Sequence, residues 1–297
     1  MKRKLEVSEL IFKVISYTLL TMFALCCLYP FVYAISASIS GIEEVERSQI
    51  VLFPKNIQFE AFSTMFNDNM FWNAYANTLF LTFYGTIWSV ITSILGAYAL
   101  SKKRLLFRKG FNFFLVFTMW FSAGMVPQYL NYLDTQKVLQ GMGITDYKWL
   151  VVLAMGMAAM NIILLRNSFE GVPSEIEEAA IVDGATEMQV LWKVYIPMSK
   201  SIIATVALFF GISRWNGYFW ARQMIPSQTY EQPLQVFIRI KLEEFNDPEA
   251  MTGWTENYAS DSIIYALIVC SIVPILIIYP FIQKYFAKGV NAGGVKE

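Results

Sequence analysis

Of 297 residues, 56% are hydrophobic and only 15% are charged, with 23 basic and 23 acidic side chains cancelling. A soluble domain carries about 25% charged residues, so this chain is too poor in charge to clothe a water-facing surface, and its neutrality gives no reason to expect a nucleic-acid partner. Histidine is absent and the three cysteines, Cys26, Cys27 and Cys270, lie in apolar runs. This excludes the commonest general base, the commonest metal ligand, every Ser-His or Cys-His nucleophile, a zinc site and a disulfide framework.

A bilayer core of ~30 Å needs about 20 apolar residues in a helix. Six stretches qualify: residues 10–39, 74–100, 111–133, 149–169, 201–225 and 262–286. Their apolar runs are continuous rather than alternating, which predicts helices and not barrel strands. The fold class is therefore all-α, a polytopic membrane protein of six helices forming one transmembrane domain. Lys2, Arg3 and Lys4 precede the first run as in a signal peptide, but that run is longer than a ~7–15-residue signal core and predicts a retained span. Pro30, Pro127, Pro274 and Pro280 fall inside spans and predict kinks.

Basic residues set the orientation. Lys2, Arg3, Lys4 and Lys13 open the first span, and Lys102, Lys103, Arg104, Arg108 and Lys109 crowd the link between the second and third. Lys284, Lys288 and Lys296 close the sequence, whereas Glu43, Glu44, Glu46, Glu60 and Asp68 mark the first loop on the opposite side. Both termini are expected in the cytoplasm. The loops 40–73 and 226–261 then lie outside, the second with a periodic stretch at 234–240 that reads as a short strand or a short helix.

The cytoplasmic loop 170–200 is the most informative segment. Ser174 followed by Glu177 has the spacing of a capping box, and Gly184 is placed to end a helix in the left-handed conformation. A second amphipathic stretch runs from Thr186 and is expected to stop before Pro197. Two short helices joined at Gly184 follow, with Ala179, Ala180 and Gly184 leaving little side-chain bulk between the backbone and an approaching protein.

Glu178-Ala179-Ala180, three residues, Gly184, nine residues and then Val194-Tyr195-Ile196-Pro197 resembles the EAA loop of ABC importer permeases, with Val194 and Ile196 as mild replacements. Asp183-Gly184-Ala185 is similar to the carbohydrate branch of that family, as are Trp215-Asn216 and Pro233-Leu234-Gln235. The end of the sequence, with Gly289, Gly293, Gly294 and Lys296, resembles the tail of maltose-type permeases that reaches into the ATPase dimer interface.

The resemblance implies the type I importer fold and a non-enzymatic transmembrane subunit. It would pair with a sister permease in the bilayer, dock a cytoplasmic ATPase dimer through Glu178, Ala179, Ala180, Asp183, Gly184 and Pro197, and receive an oligosaccharide from an extracytoplasmic binding protein at the loop 226–261. Glu178 would pair with a basic group on the ATPase. No G-x-x-x-x-G-K-[ST] loop is present, so ATP and magnesium would be bound by the partner ATPase, with no cofactor or metal on this chain.

Sugars are held by aromatic faces and polar groups, and the fifth span offers Arg214, Trp215, Asn216, Tyr218 and Trp220. On one continuous helix Arg214, Trp215 and Tyr218 share a face, while Asn216 and Trp220 point elsewhere. Arg214 is an intramembrane charge, which marks a functional site by default, although snorkelling to the outer interface accounts for it equally well. Asn77, Tyr84, Trp120 and Gln128 read as interhelical bonding groups. The competing function is an ion-coupled secondary carrier, disfavoured by the scarcity of membrane-embedded acids. An intramembrane enzyme lacks its paired acids or nucleophile.

Overall fold

A computed structural model of the chain describes residues 7–226, 229–246 and 261–294, which form helices and the turns joining them. In chain order these are α1 (Val7–Ser38), α2 (Ile42–Glu46), α3 (Glu60–Phe66), α4 (Asn69–Ser101), α5 (Arg108–Trp120), α6 (Met125–Gly141), α7 (Tyr147–Ala154) and α8 (Ala159–Glu170). They continue with α9 (Ser174–Val182), α10 (Glu187–Met198), α11 (Lys200–Trp215), α12 (Phe219–Met224), α13 (Leu234–Asn246) and α14 (Asp261–Gly294). Three described helices are long and apolar enough to cross a membrane singly, and three bent pairs raise the number of spans to as many as six.

The chain divides into two compact units. The first combines residues up to Asn69 with 238–273. Most apolar side chains of α1 from Leu10 to Tyr29 are exposed, as suits a helix solvated by hydrocarbon rather than water. Beyond it, the loop folds back on the helix end: Gly41 N–H donates to the Lys55 carbonyl and Gln58 N–H to the Ile39 carbonyl. A small core of Ala37, Val45 and Ile50 is closed by Tyr33 and Tyr265.

The second unit holds 70–237 and the rest of α14. Its organising element is α4, whose buried stripe is mostly small: Ala74, Thr78, Gly85, Ser89, Ser93, Ala97 and Ser101, with Asn77, Leu81 and Ile94 beside them. Membrane helices pack through such residues because apolar bulk gives no advantage over lipid there. Asn77 donates to the carbonyls of Tyr230 and Gln232, and Thr78 accepts from Leu234 N–H, which fastens the segment before α13.

Three expected spans are not single helices. Residues 111–133 split into α5 and α6 with a bend of 115°. Gly124 takes φ +88°, and Pro127 stands in the first turn of α6, where its missing N–H has no intrahelical partner to lose. Residues 149–169 split into α7 and α8 at 50°. Residues 201–225 end as a helix at Trp215 and restart at Phe219. Stretch 234–240 is helical, in α13. At the far end α14 stays helical through Gly294, so Gly289 and Gly293 stand on a helix rather than in a tail, and Lys296 lies outside the described residues.

Candidate functional site

The elbow between α8 and α11 is built from α9 and α10. Gly184 has φ +83° and ends α9 with two reverse hydrogen bonds, Gly184 N–H to the Ile181 carbonyl and Ala185 N–H to that of Ala180, both at 3.0 Å. This double closure needs a left-handed residue, which glycine supplies without strain. The expected capping box at Ser174 and Glu177 does not form. Pro173 occupies the cap position without a side-chain bond, and the box belongs to Thr186 and Gln189 instead. Glu177 is drawn away by a buried cation, a stronger claim than an exposed cap.

Pro197 does not stop α10. Residues Leu191–Tyr195 form a wide π-helical turn, and the helix then runs to Met198. The extra residue in that turn displaces the carbonyl that the proline ring would strike. A bend of 86° at Ser199 leads into α11. The inner side of the elbow is anchored by Val190, Leu191 and Tyr195, buried with Ile94, Ala97, Leu165 and Phe169.

The outer side is open. Glu178, Ala179, Asp183, Gly184 and Pro197 are exposed, Ala180 is half-buried, and a side chain at Gly184 would meet nothing within 4 Å. Apolar side chains missed by sequence reasoning stand with them: Val182 is 86% and Trp192 61% exposed, and Met188 lies one turn before Trp192. The signal was available, since apolar residues at i and i+4 in a polar helix mark a face.

Beneath the elbow, Lys102 is only 8% exposed. Its Nζ sits 2.6 Å from Glu177 Oε1 and over the rings of Tyr98 and Tyr195, 4.2 and 4.1 Å from their centroids. Tyr195 donates to the other Glu177 oxygen. Burial alone lifts the Glu177 carboxyl, but the bonds from Lys102 and Tyr195 outweigh it and hold it below its ordinary range. Arg104 pairs with Glu187 and holds that carboxyl down too, while Arg108 pairs with Glu170.

The second site lies where α7 breaks from α8. Arg214, 8% exposed, donates through Nη1 to the Val151 carbonyl at 2.9 Å, and through Nη2 to Ser89 Oγ at 3.1 Å and the carbonyls of Val152 and Met155 at 3.4 and 2.5 Å. A helix leaves its last carbonyls unbonded, and the guanidinium covers those of α7. Thr92 donates to the Gly156 carbonyl at 3.0 Å. Gly85 makes room for the arginine, because a Cβ there would stand 3.0 Å from Arg214 Nε.

Arg214, Asn216, Tyr218 and Trp220 line one cavity of about 380 Å3 with Val151 and Met155. The expectation that Asn216 and Trp220 point away fails because α11 ends at Trp215 and the chain turns before α12. Trp215 is buried, packs edge-on against Tyr75, and lines a separate apolar groove of about 370 Å3 with Ala204, Ala207 and Gly211. Trp220 meets Tyr132 edge-on at 4.9 Å.

Up to six apolar spans, one of them broken where the buried Arg214 covers the freed carbonyls, joined to an elbow with an exposed small-residue face, define a polytopic permease. Residues 79–292 match the family described as binding-protein-dependent transport system inner membrane component, and the chain belongs to it. It is the multi-pass membrane subunit of an ABC transporter, a component without catalysis of its own. It is 34% identical over 289 residues to the polygalacturonan/rhamnogalacturonan transport system permease protein YtcP of Bacillus subtilis (strain 168), covering 96% of this chain and 98% of that one. The maltodextrin transport system permease protein MdxG of the same organism is 26% identical, covering 96% of each. A chain of the bacterial ABC transporter involved in the import of the acidic polysaccharide alginate superposes with a TM-score of 0.82 at 41% identity, covering 96% of this chain and all of that one.

Proposed function

We propose that this permease imports an oligosaccharide rich in uronate residues, handed over by an extracytoplasmic binding protein and driven by a cytoplasmic ATPase dimer. The observation that carries the acidic cargo is Arg214. Among the described residues its partners are three carbonyls and one hydroxyl, all neutral, and it lines a cavity. A guanidinium in low dielectric without a carboxylate partner favours an anion entering beside it. Asn216 offers hydrogen bonds to hydroxyls, and Tyr218 and Trp220 offer ring faces. Two of the relatives named above carry polygalacturonan/rhamnogalacturonan and alginate, which supports the same reading.

In this proposal the elbow is cytoplasmic and Glu178, Ala179, Ala180, Asp183, Gly184 and Pro197 form the ATPase-docking face, widened by Val182, Met188 and Trp192. A sister permease completes the pathway, both termini lie in the cytoplasm, and the segment 226–261 meets the binding protein. The helical end with Gly289, Gly293 and Gly294 approaches the ATPase together with Lys296.

Reconstitution in liposomes with the ATPase, the sister subunit and the binding protein tests this. ATP-dependent uptake of oligogalacturonate or oligoalginate is expected to exceed that of a maltooligosaccharide of equal length at least tenfold. Equal uptake removes the acidic cargo, and uptake that survives without ATP removes the importer.

A further inference from the structure

Three basic residues following α4, Lys102 directly after its last residue, Arg104 in the link and Arg108 at the start of α5, each hold a carboxylate of the elbow or its approach: Lys102 with Glu177 on α9, Arg104 with Glu187 on α10, and Arg108 with Glu170 at the end of α8. They are not equivalent. Arg104 and Glu187 are more than half exposed, so water and salt screen their pair. Lys102 is desolvated, capped by two aromatic faces that stand at 85° to each other, and bonded to a carboxylate that a second elbow residue, Tyr195, also holds. One ammonium thus ties α4 to both elbow helices at once.

The same helix is tied again higher up. Ser89 and Gly85 touch Arg214, and Thr92 bonds the Gly156 carbonyl in the break between α7 and α8. Thirteen residues separate Ser89 from Lys102, a rise of ~20 Å in a helix. A continuous α4 therefore runs from the elbow to the wall of the Arg214 cavity.

We infer that Lys102 is a positioning residue that locks the elbow to α4, so that a load placed on the elbow moves the cavity wall. The inference rests on the reading that the elbow docks the ATPase. Lysine suits the place because a compact charge fits between two ring faces while its third side meets the carboxylate.

The test uses the full importer in nanodiscs, with K102M, K102R and the double variant K102M/E177L. The double variant leaves no buried charge unpaired and so guards against simple misfolding. Spin labels at Glu175 on α9, which lies outside the docking face, and at Lys103, both exposed, report whether elbow and α4 move as one body. Wild type is expected to keep one narrow label distance with and without trapped nucleotide. K102M and the double variant are expected to copurify with the ATPase and hydrolyse ATP within twofold of wild type. Their label distance should broaden and their uptake per ATP should fall at least tenfold, with K102R recovering to within threefold.

Uptake per ATP within twofold of wild type in the double variant, or an unchanged label distance, overturns the latch. So does loss of the ATPase from both variants, which makes Lys102 a docking or folding residue. The docking reading fails separately if Gly184→Trp copurifies with the ATPase and couples as wild type does.

Discussion

Replacing Arg214 by methionine keeps the length and apolar stem of the side chain and removes only its donors. The carbonyls of Val151, Val152 and Met155 then end α7 without a protein donor. Interhelical hydrogen bonds in membrane bundles are worth about 0.6 kcal/mol on average and up to about 1.7, so three carbonyls amount to a loss of about 2–5 kcal/mol. Lysine keeps the charge but brings its donors to a single point, and is expected to recover less than half of that. Reversible unfolding in mixed lipid–detergent micelles, followed by tryptophan fluorescence, gives the difference directly. A loss below about 0.5 kcal/mol for Arg214→Met, within the range of ordinary surface changes, would refute the claim that the guanidinium caps the break. Stability and cargo separate in the same series: Arg214→Lys should retain the preference for acidic over neutral oligosaccharide that Arg214→Met loses.

Gly85→Leu should reproduce the Arg214→Met phenotype, because its side chain enters the space 3.0 Å from Arg214 Nε; unfolding measurements on the two variants and their combination should show strong non-additivity. Gly184→Val forces a β-branched residue to φ +83° and should cost about 1–2 kcal/mol, whereas Gly184→Asn should stay within a few tenths of wild type in the same thermal assay. Trp192→Ser should leave folding unchanged, since the ring is exposed, and weaken ATPase capture at least tenfold in titrations of the detergent-solubilised complex. Glu231 titrates above its ordinary range, through burial and the neighbouring Asp146. Its contribution to stability is therefore full below the unfolded carboxylate pKa and is lost as pH rises through the folded value; Glu231→Gln should stabilise the protein at neutral pH and flatten that dependence in melts taken from pH 4 to 8.

The first, second and last spans were readable because each is one apolar run without interruption, and the structure keeps α1, α4 and α14 as single helices. The breaks were not. Met155-Gly156-Met157-Ala158 is as apolar as a helix interior, and the group that makes its broken ladder tolerable, Arg214, lies about sixty residues further on. The same distance effect misplaced the helix cap. Ser174-x-x-Glu177 and Thr186-x-x-Gln189 carry equally good local patterns, and only the fold brings Lys102 to claim Glu177 and leave the second pair to form the box. Gly184 was readable because a backbone requirement acts on one residue and its immediate neighbours. For the cavity, the residue types were legible but their shared wall was not, since a helical wheel holds only while the helix does, and α11 ends in the middle of the set.

Broken helices in a bilayer have to find partners for the carbonyls they release, and the choice of partner shapes what the break can do. Neutral donors such as Thr92 satisfy one carbonyl and add no field. Arg214 satisfies three and leaves a net charge at the edge of a cavity, so the element that stabilises the break is also the one an anionic cargo would sense. A carboxylate approaching it competes with the α7 carbonyls for the same N–H groups. On the proposal of an acidic cargo, cargo in the cavity and the shape of the break would be coupled through one side chain, and α4, which touches that side chain at Ser89 and leads to the elbow contact at Lys102, would carry both signals.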